Sequence, residues 1–361
     1  MVPILRAGNI ADVLDTTADL VWVPSARVKP NQHLQLGDIA ICMSSGSQTV
    51  VGKSAPLRRD WLGSVGAFCA IVRPKPEVVD PAYLALYMRS DGFRSWTRTS
   101  EGANIKNIRH SELLTHRVPV PPLDEQRRVV ELLSRAENIV RMRREAEATA
   151  EKVIPALFVN MFEGRREAIP LGRLGDVIFE FRYGSSQKST PNGCPVLRIP
   201  NVVSGHIDTT DLKFLEVSEA DQVRYRLHDG DILFVRTNGN PDYVGRCSTF
   251  EPPDDRNWIF ASYLIRARPR MEKVDPTFLQ AVLASNSGRS QLRENARTAA
   301  GQYNINIDGL RGIRIPVPSL EAQRLFAGRA HEIRTLSTQQ RLATETAEQT
   351  LQSLLARVFQ Q

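Results

Sequence analysis

The stretch Pro119-Val-Pro-Pro-Leu-Asp-Glu-Gln-Arg127 decides how this chain is organised, because it returns near the C-terminus as Pro316-Val-Pro-Ser-Leu-Glu-Ala-Gln-Arg324. Each copy contains X-Pro pairs, which push the residue before proline into extended geometry, so the chain must turn before a helix begins. Asp124 and Glu321 then fall in the first helical turn, where a carboxylate is favourable beside the exposed N–H groups. Ser319 is a candidate N-cap for the second helix. The sequence therefore predicts two long helices that begin alike.

Both helices carry apolar or small residues at alternating spacings of three and four, the pattern of a coiled coil. The first seam comprises Val129, Leu132, Ala136, Ile139, Ala146, Ala150, Val153, Leu157 and Met161. The second comprises Phe326, Ala330, Ile333, Leu336, Ala343, Ala347, Leu351, Leu354 and Val358. Pro155 interrupts the first seam and should kink or end the regular helix near Ile154. We expect the seams to pack as one antiparallel coiled coil; the alternative is two unrelated surface helices.

The segments that precede the two helices are also duplicated. Three pairs of short stretches correspond: Pro3-Ile-Leu-Arg with Pro195-Val-Leu-Arg, Gly37-Asp-Ile with Gly230-Asp-Ile, and Val79-Asp-Pro with Val274-Asp-Pro. Their offsets of 192, 193 and 195 residues rise to 197 at the proline motif, which keeps the order while allowing short insertions. Short apolar runs bounded by turn formers predict strands of a small mixed sheet, and Asp80-Pro81 predicts the start of a helix.

This duplication predicts an α/β (α+β) fold with a pseudo-two-fold internal repeat, in which two mixed-sheet domains are separated by the long helices. The predicted boundaries are 1–118, 119–164, 165–315 and 316–361. The second copy contains a stretch from Ile169 to Gly184 that has no counterpart before Pro3. About 26 residues of the first copy are therefore absent from this sequence. We expect either a start codon that is placed late or a first domain that has lost one edge.

Composition narrows the classes of function. The 361 residues are 42% hydrophobic, which allows more than one core, and the formal charge of +7 permits a polyanion partner. Four separated cysteines show neither a CxxC pair nor a zinc-like spacing, which favours a reduced cytoplasmic setting. The N-terminus has no apolar run typical of a signal peptide, and no stretch approaches the length of a membrane span. We therefore expect a cytoplasmic protein without membrane contact.

A variable α/β domain, a Pro-Pro-Leu-x-Glu-Gln-type start and a long helix, all used twice, resemble the specificity subunit of a type I restriction-modification system. The resemblance covers essentially the full chain, although Ala322 stands where the first copy has Glu125. It implies a non-catalytic subunit whose two target recognition domains each read half of a split, asymmetric sequence in double-stranded DNA. The helices would set the spacing, since roughly 30 helical residues span about 45 Å, a little more than one turn of B-DNA.

The resemblance also implies partners. Two modification (methyltransferase) subunits would dock on the helical regions, and restriction (ATP-dependent nuclease or translocase) subunits would join where the system has them. S-adenosylmethionine, ATP and Mg would then belong to these partner subunits, with no cofactor, metal or catalytic residue in this chain. The expected docking and spacer residues are Leu123, Gln126, Arg127, Leu320, Gln323 and Arg324.

Reading DNA bases requires polar side chains on loops or edges, with further contacts to phosphates. In the first domain the candidates are Ser44, Ser45, Gln48, Lys53, Asn104, Lys106 and Asn107. In the second domain they are Arg182, Tyr183, Ser185, Lys188, Arg236, Asn238, Asn240, Gln302, Tyr303 and Asn304. Each of these residues alone fits an ordinary polar loop; their occurrence at corresponding positions in two copies is what favours a DNA interface.

Two short motifs suggest an enzyme but depart from the required pattern. Gly52-Lys-Ser54 resembles the end of a P-loop, yet the earlier glycine is one residue too far away. Asn240-Pro-Asp-Tyr243 is similar to the base-holding loop of amino-methyltransferases but has the wrong third residue, and a turn after a strand is the simpler interpretation. Two alternatives stay open: a self-contained DNA methyltransferase or nuclease with degenerate motifs, and a coiled-coil interaction protein that does not bind DNA.

Overall fold

A computed structural model describes residues 1–11, 13–47, 49–98, 106–163, 169–299 and 301–359. The chain forms two compact units. The first unit combines Met1–Glu145 with Arg341–Gln361, and the second unit is Ala146–Gln340. Each unit therefore contains a sheet domain together with parts of both long helical segments.

The first unit begins with short strands and continues with helices, as the sequence predicts. Its strands are β1 (Val2–Leu5), β2 (Val21–Val23), β3 (Ile39–Cys42), β4 (Ser44–Ser45), β5 (Ser54–Pro56), β6 (Ser64–Val65), β7 (Cys69–Val72) and β8 (Lys106–Asn107). Its helices are α1 (Pro81–Tyr87), α2 (Asp91–Arg98), α3 (His110–Thr115) and the greater part of α4 (Leu123–Ala150). The strands pair in the orders β2-β1-β6, β5-β3-β7 and β4-β8, and β1 is antiparallel to β2 but parallel to β6.

The second unit repeats this script. Its helices are α5 (Val153–Phe162), α6 (Leu174–Val177), α7 (Glu219–Tyr225), α8 (Pro276–Ala284), α9 (Asn286–Glu294), α10 (Ile307–Arg311) and the first part of α11 (Leu320–Phe359). Its first strands are β9 (Leu171–Arg173), β10 (Ile178–Tyr183), β11 (Cys194–Leu197), β12 (Lys213–Leu215), β13 (Ile232–Val235) and β14 (Thr237–Asn238). The others are β15 (Cys247–Thr249), β16 (Ile259–Phe260), β17 (Leu264–Pro269), β18 (Arg297–Ala299), β19 (Gln302–Asn304) and β20 (Arg314–Pro316).

The repeat extends to individual hydrogen bonds. Asp80 caps α1 by accepting hydrogen bonds from the amides of the second and third helical residues, and Asp275 caps α8 in the same way. Asp38 binds Arg73 through two guanidinium nitrogens at 2.9 and 2.7 Å, and Asp231 binds Arg268 at 2.8 Å twice. These hydrogen bonds raise the pKa of both arginines. The mixed α/β architecture and the internal repeat predicted from the sequence are thus confirmed.

The long helices begin where the proline motifs predict. Leu320 opens α11, and the hydroxyl of Ser319 accepts a hydrogen bond from the amide of Ala322 at 3.3 Å. The first helix breaks after Ala150 and resumes at Val153, slightly before the expected bend at Ile154. Proline lacks an N–H and its ring crowds the carbonyl four residues earlier, here in the break itself, so the interruption precedes Pro155.

The two helices pack against each other in an antiparallel sense. In the first unit, Leu133 and Val140 of α4 lie in one apolar cluster with Leu351 and Leu355 near the end of α11. In the second unit, α5 instead contacts the beginning of α11, where its phenylalanines meet Phe326. The antiparallel pairing is confirmed.

The predicted register of the first seam was partly wrong. Leu132 and Ile139 are 49% and 52% exposed, whereas the adjacent Leu133 is fully buried. The second seam contains a similar error at Leu336, which is 62% exposed. Both members of the pair at 132 and 133 are leucines, so spacing alone could not select the buried one.

One strand distinguishes the units. In the second unit the main sheet has the order β10-β17-β13-β15, whereas the corresponding sheet of the first unit is β5-β3-β7. Strands β3 and β7 correspond to β13 and β17, since Ile39 pairs with Val72 as Ile232 pairs with Ala267. Among the residues that the structure describes, no strand of the first unit occupies the place of β10.

Candidate nucleic-acid interface

The structure joins two of the predicted polar stretches of the first unit in one short ribbon. Ser44 lies opposite Asn107 and Ser45 lies opposite Lys106 in the antiparallel β4–β8 pair. The buried Ile108 anchors the base of this ribbon, because its amide donates a hydrogen bond of 2.8 Å to the carbonyl of the buried Met43. The exposed Lys53 lies one turn away in sequence and donates nothing to the ribbon backbone, although its carbonyl accepts from Cys42 at 2.9 Å. Gln48 and Asn104 lie outside the described residues.

The second unit builds the same feature at the corresponding positions. Thr237 pairs with Asn304, and Asn238 pairs with Tyr303. The amide of the buried Ile305 donates a hydrogen bond of 2.9 Å to the carbonyl of Arg236, which repeats the anchor of the first unit. Stretches that are about 65 residues apart in sequence thus form one polar ribbon in each unit. Offsets between equivalent residues match those of the sequence repeat.

Side chains of the second ribbon hold one another in position. The hydroxyl of Thr237 donates a hydrogen bond to Oε1 of the exposed Gln302 at 3.0 Å. The guanidinium of Arg236 lies over the ring of Tyr183, 4.7 Å from its centroid, and donates to the carbonyl of Ser262 at 3.3 Å. A cation held over an aromatic ring in this way keeps a fixed direction at modest energetic cost.

Arg182 belongs to an ion-pair network beneath the ribbon. Its guanidinium contacts Glu180, which also contacts the buried guanidinium of Arg266. Burial acts to raise the pKa of Glu180, but the hydrogen bond from Arg182 and the charge of Arg266 outweigh it, so the net pKa is lowered. The Arg182 charge is thus balanced within the protein.

The remaining candidates of the second domain fall into two groups. Ser185 is buried, and its backbone amide and carbonyl bond to Phe260 and Ser262 at 2.9 and 2.7 Å, which identifies a structural position. Lys188 and Asn240 are exposed. The side chain of Asn240 accepts a hydrogen bond from the amide of Asp242 at 2.9 Å, as expected for a turn after a strand.

Sequence reasoning missed a third strand of the second ribbon. Arg297 pairs with Asn304 and Thr298 pairs with Tyr303 across β18 and β19, and both Arg297 and Thr298 are exposed. Gly301, in the turn between these strands, has a φ of +76°. A glycine between two short polar runs was the available signal for a hairpin.

Gln126 and Gln323, which were expected in a docking surface, have no exposed surface at all. Oε1 of Gln126 accepts from the amide of Asp80 at 2.8 Å, while Nε2 donates to the carbonyls of Val78 and Pro121 at 3.2 and 2.7 Å. Gln323 makes the same three contacts, with the amide of Asp275 at 2.9 Å and with the carbonyls of Lys273 and Pro318 at 3.3 and 2.9 Å. Each glutamine therefore fastens the start of a long helix to the cap of a sheet-domain helix.

The other helix-start residues retain surface. Leu123 and Leu320 are half-buried, whereas Arg127 and Arg324 are exposed. Arg127 lies 3.3 Å from the carboxylate of Asp124 in an exposed pair, which contributes little to stability. These four positions therefore remain available for contacts outside the chain.

The motif at Gly52 does not form a phosphate-binding loop. Gly52 has a φ of +77° in a tight turn, and Ser54 is buried in β5 with its hydroxyl directed at the carbonyl of Met88, 3.4 Å away. A search of the described ranges finds no group of three or more His, Cys, Asp or Glu side chains placed to hold a metal ion. None of the described helices is both long and apolar enough to cross a membrane.

Comparison with known proteins gives the same picture. No family model matches the chain. It is 31% identical over 379 residues to the type I restriction enzyme EcoKI specificity subunit of Escherichia coli (strain K12), covering 99% of this chain and 81% of that protein. It is 30% identical over 378 residues to the type I restriction enzyme StySPI specificity subunit of Salmonella potsdam, with the same coverage of 99% and 81%.

Solved structures share the fold. A chain from a structural study of complex assembly and conformational transition in a type I R-M system has a TM-score of 0.63 at 18% identity, covering 99% of this chain and 91% of that chain. The type I restriction-modification S subunit from M. genitalium has a TM-score of 0.56 at 15% identity, covering 90% of this chain and 83% of that one. Given the near-complete alignments at 30% identity and above, this chain belongs to the family of type I restriction enzyme specificity subunits.

Proposed function

We propose that this chain reads a bipartite, asymmetric sequence in double-stranded DNA, with one polar ribbon from each unit reading each half. The observation that carries this proposal is the recurrence of the ribbon, which the two repeats build at matched positions with different side chains. Ser44 opposite Asn107 in one unit corresponds to Thr237 opposite Asn304 in the other. Identical architecture with different side chains is what an asymmetric target requires.

The ribbon residues suit recognition of base edges. Asparagine and glutamine can bind adenine through two hydrogen bonds, arginine can bind guanine, and serine or threonine can serve either. Asn238, Gln302 and Asn304 supply such amides in the second unit, and Ser44, Ser45 and Asn107 supply polar groups in the first. Arg236, held over Tyr183, is placed to present a directed guanidinium. A two-stranded ribbon is also narrow enough to enter a major groove.

Exposed lysine and arginine side chains around the ribbons would contact phosphates. Lys53, Lys188 and Arg297 have this character, since each carries a charge at the surface. Phosphate contacts fix the position of a protein on the duplex and make its affinity depend on salt. Arg182 differs because Glu180 already balances its charge. Its role is to position the strand that carries Tyr183.

In this proposal the domains are 1–118 and 165–315, and the helical segments 119–164 and 316–361 set the spacing between two half-sites. Docking of two modification subunits would use the exposed surface near Leu123, Arg127, Leu320 and Arg324. Gln126 and Gln323 would act indirectly, by fixing the angle at which each helix leaves its domain. Restriction subunits, where present, would join the same assembly. Methyl transfer, with S-adenosylmethionine, and ATP- and Mg-dependent cleavage would be carried out by these partners in the cytoplasm.

The direct test is the pattern of DNA methylation in cells with and without this gene. We expect a motif with two specified halves and an unspecified spacer that disappears on deletion and returns on complementation. Purified chain mixed with DNA and S-adenosylmethionine should transfer no methyl groups until a modification subunit is added. Methyl transfer by the chain alone, or a methylation pattern that is the same without the gene, would overturn the proposal.

A further inference from the structure

We propose that the outer edge of β7 is a binding site for one extended peptide strand, which would pair antiparallel with Cys69–Val72 and complete the sheet of the first unit. The proposal does not depend on DNA recognition. Strand addition to an open sheet edge is a general mode of peptide binding, in which the backbone supplies affinity and alternate side chains supply specificity.

The second unit shows what such a completed edge looks like. There β17 lies between β13 and β10, and its residues Leu264, Ile265 and Ala267 have no exposed surface. The equivalent residues of β7 all remain half-buried. Within the described ranges β7 has a single strand neighbour, β3. The first unit therefore has the acceptor without the donor strand.

Hydrogen-bond alternation identifies the groups at the open edge. The amide of Met43 donates to the carbonyl of Phe68 at 2.8 Å, as the amide of Arg236 donates to Tyr263 at 2.9 Å. In an antiparallel ladder every second residue then faces the partner strand, which directs the backbone of Ile71 away from β3. The residue equivalent to Ile71 is Arg266, which lies opposite Arg182 of β10.

The side chains of β7 define the chemistry of the strand that fits. Phe181 and Tyr183 of β10 pack against the main core of the second unit, opposite Ala267 and Ile265. The equivalent positions of the first unit, Val72 and Ala70, border its own core and would accept apolar or aromatic side chains two residues apart. Between them stands Ile71 in place of the charged Arg266, so the intervening residue of the ligand should be uncharged. The ligand is thus an extended peptide with apolar residues at alternate positions and neutral residues between.

A peptide derived from β10 tests the proposal on the full-length chain. The probe is a fluorescently labelled peptide with the sequence of residues 176–187, in which Glu180→Thr and Arg182→Thr remove the charges that face Arg266 in the second unit. We expect saturable binding with one peptide per chain, together with slower amide hydrogen exchange at Ile71. The matched control peptide carries Arg182→Pro, which removes the donor that would face Ile71. It should bind about tenfold more weakly or worse, since a buried backbone acceptor is left unpaired.

A variant of the chain provides the reciprocal test. Ile71→Pro removes an outward-facing amide without breaking the ladder to β3, a position where edge strands tolerate proline. It should weaken peptide binding about tenfold or more. If this variant fails to fold, the proline peptide with the unaltered chain decides the question. Absence of saturable binding up to about 1 mM peptide, equal binding of both peptides, or a dimer that occupies the edge by light scattering would each overturn the proposal.

Discussion

Replacing Gln126 by alanine should loosen the joint between α4 and the sheet domain of the first unit. The substitution removes three hydrogen bonds and leaves the amide of Asp80 and the carbonyls of Val78 and Pro121 without this partner. Each buried group left unsatisfied costs about 1–3 kcal/mol, and water entering the vacated space would recover part of that. We therefore expect the free energy of unfolding of the first unit to fall by about 2–4 kcal/mol.

Urea unfolding followed by tryptophan fluorescence measures this change. Three of the four tryptophans, Trp22, Trp61 and Trp96, lie in the first unit, so its unfolding dominates the signal. Gln126→Glu preserves the acceptor for the Asp80 amide but not the two donors, and should give an intermediate loss. The exposed neighbour Arg127→Ala is the control and should change stability by less than about 0.5 kcal/mol.

Two results would refute this account of Gln126. One is a Gln126→Ala variant that unfolds like the unaltered chain. The other is the loss of assembly with modification subunits at unchanged stability, which would identify Gln126 as a docking residue. Because Gln323 makes the same contacts in the second unit, Gln323→Ala should destabilise that unit by a similar amount, which hydrogen exchange at α8 can follow.

Three further predictions concern the core, acid stability and DNA affinity. Phe326→Ala should cost about 3–5 kcal/mol in the unfolding of the second unit, whereas the exposed neighbour Leu325→Ala should cost little, and equal effects would contradict the described helix packing. Burial lowers the pKa of His116, so its neutral form contributes stability that is present above its ordinary pKa and lost as the pH falls through that value; the thermal midpoint should show this step, and His116→Gln should abolish it. Lys188→Glu with Arg297→Glu should weaken DNA binding by the assembled complex and flatten its salt dependence, and an unchanged slope would exclude phosphate contacts by these residues.

The sequence predicted those parts of the fold that local chemistry specifies. Proline pairs, the Ser319 cap and the Asp-Pro helix starts each act within a few residues, so the helix starts they predicted are present. The internal repeat also had consequences beyond local structure, because stretches at matching offsets had to occupy matching places. This is why residues near Ser44 and Asn107 could be selected separately and then meet in one ribbon.

Other features depended on contacts that spacing cannot reveal. A glutamine in the first turn of a charged helix is expected at the surface, yet Gln126 is buried because the Asp80 amide and two carbonyls need partners. The choice between Leu132 and Leu133 in the seam depended on which neighbour the partner helix met. The exposed strand at Arg297 was missed because a three-residue polar strand has no apolar alternation to announce it.

The most direct test of the central claim is the methylated motif produced by a complex that carries Asn238→Ala and Asn304→Ala in the ribbon of the second unit. If that ribbon reads one half of the target, sequencing of modified genomic DNA should show one half-site relaxed at one or more positions while the other half-site and the spacer length stay the same. A motif unchanged in both halves, at normal stability and assembly of the variant, would contradict the assignment of DNA reading to the ribbon.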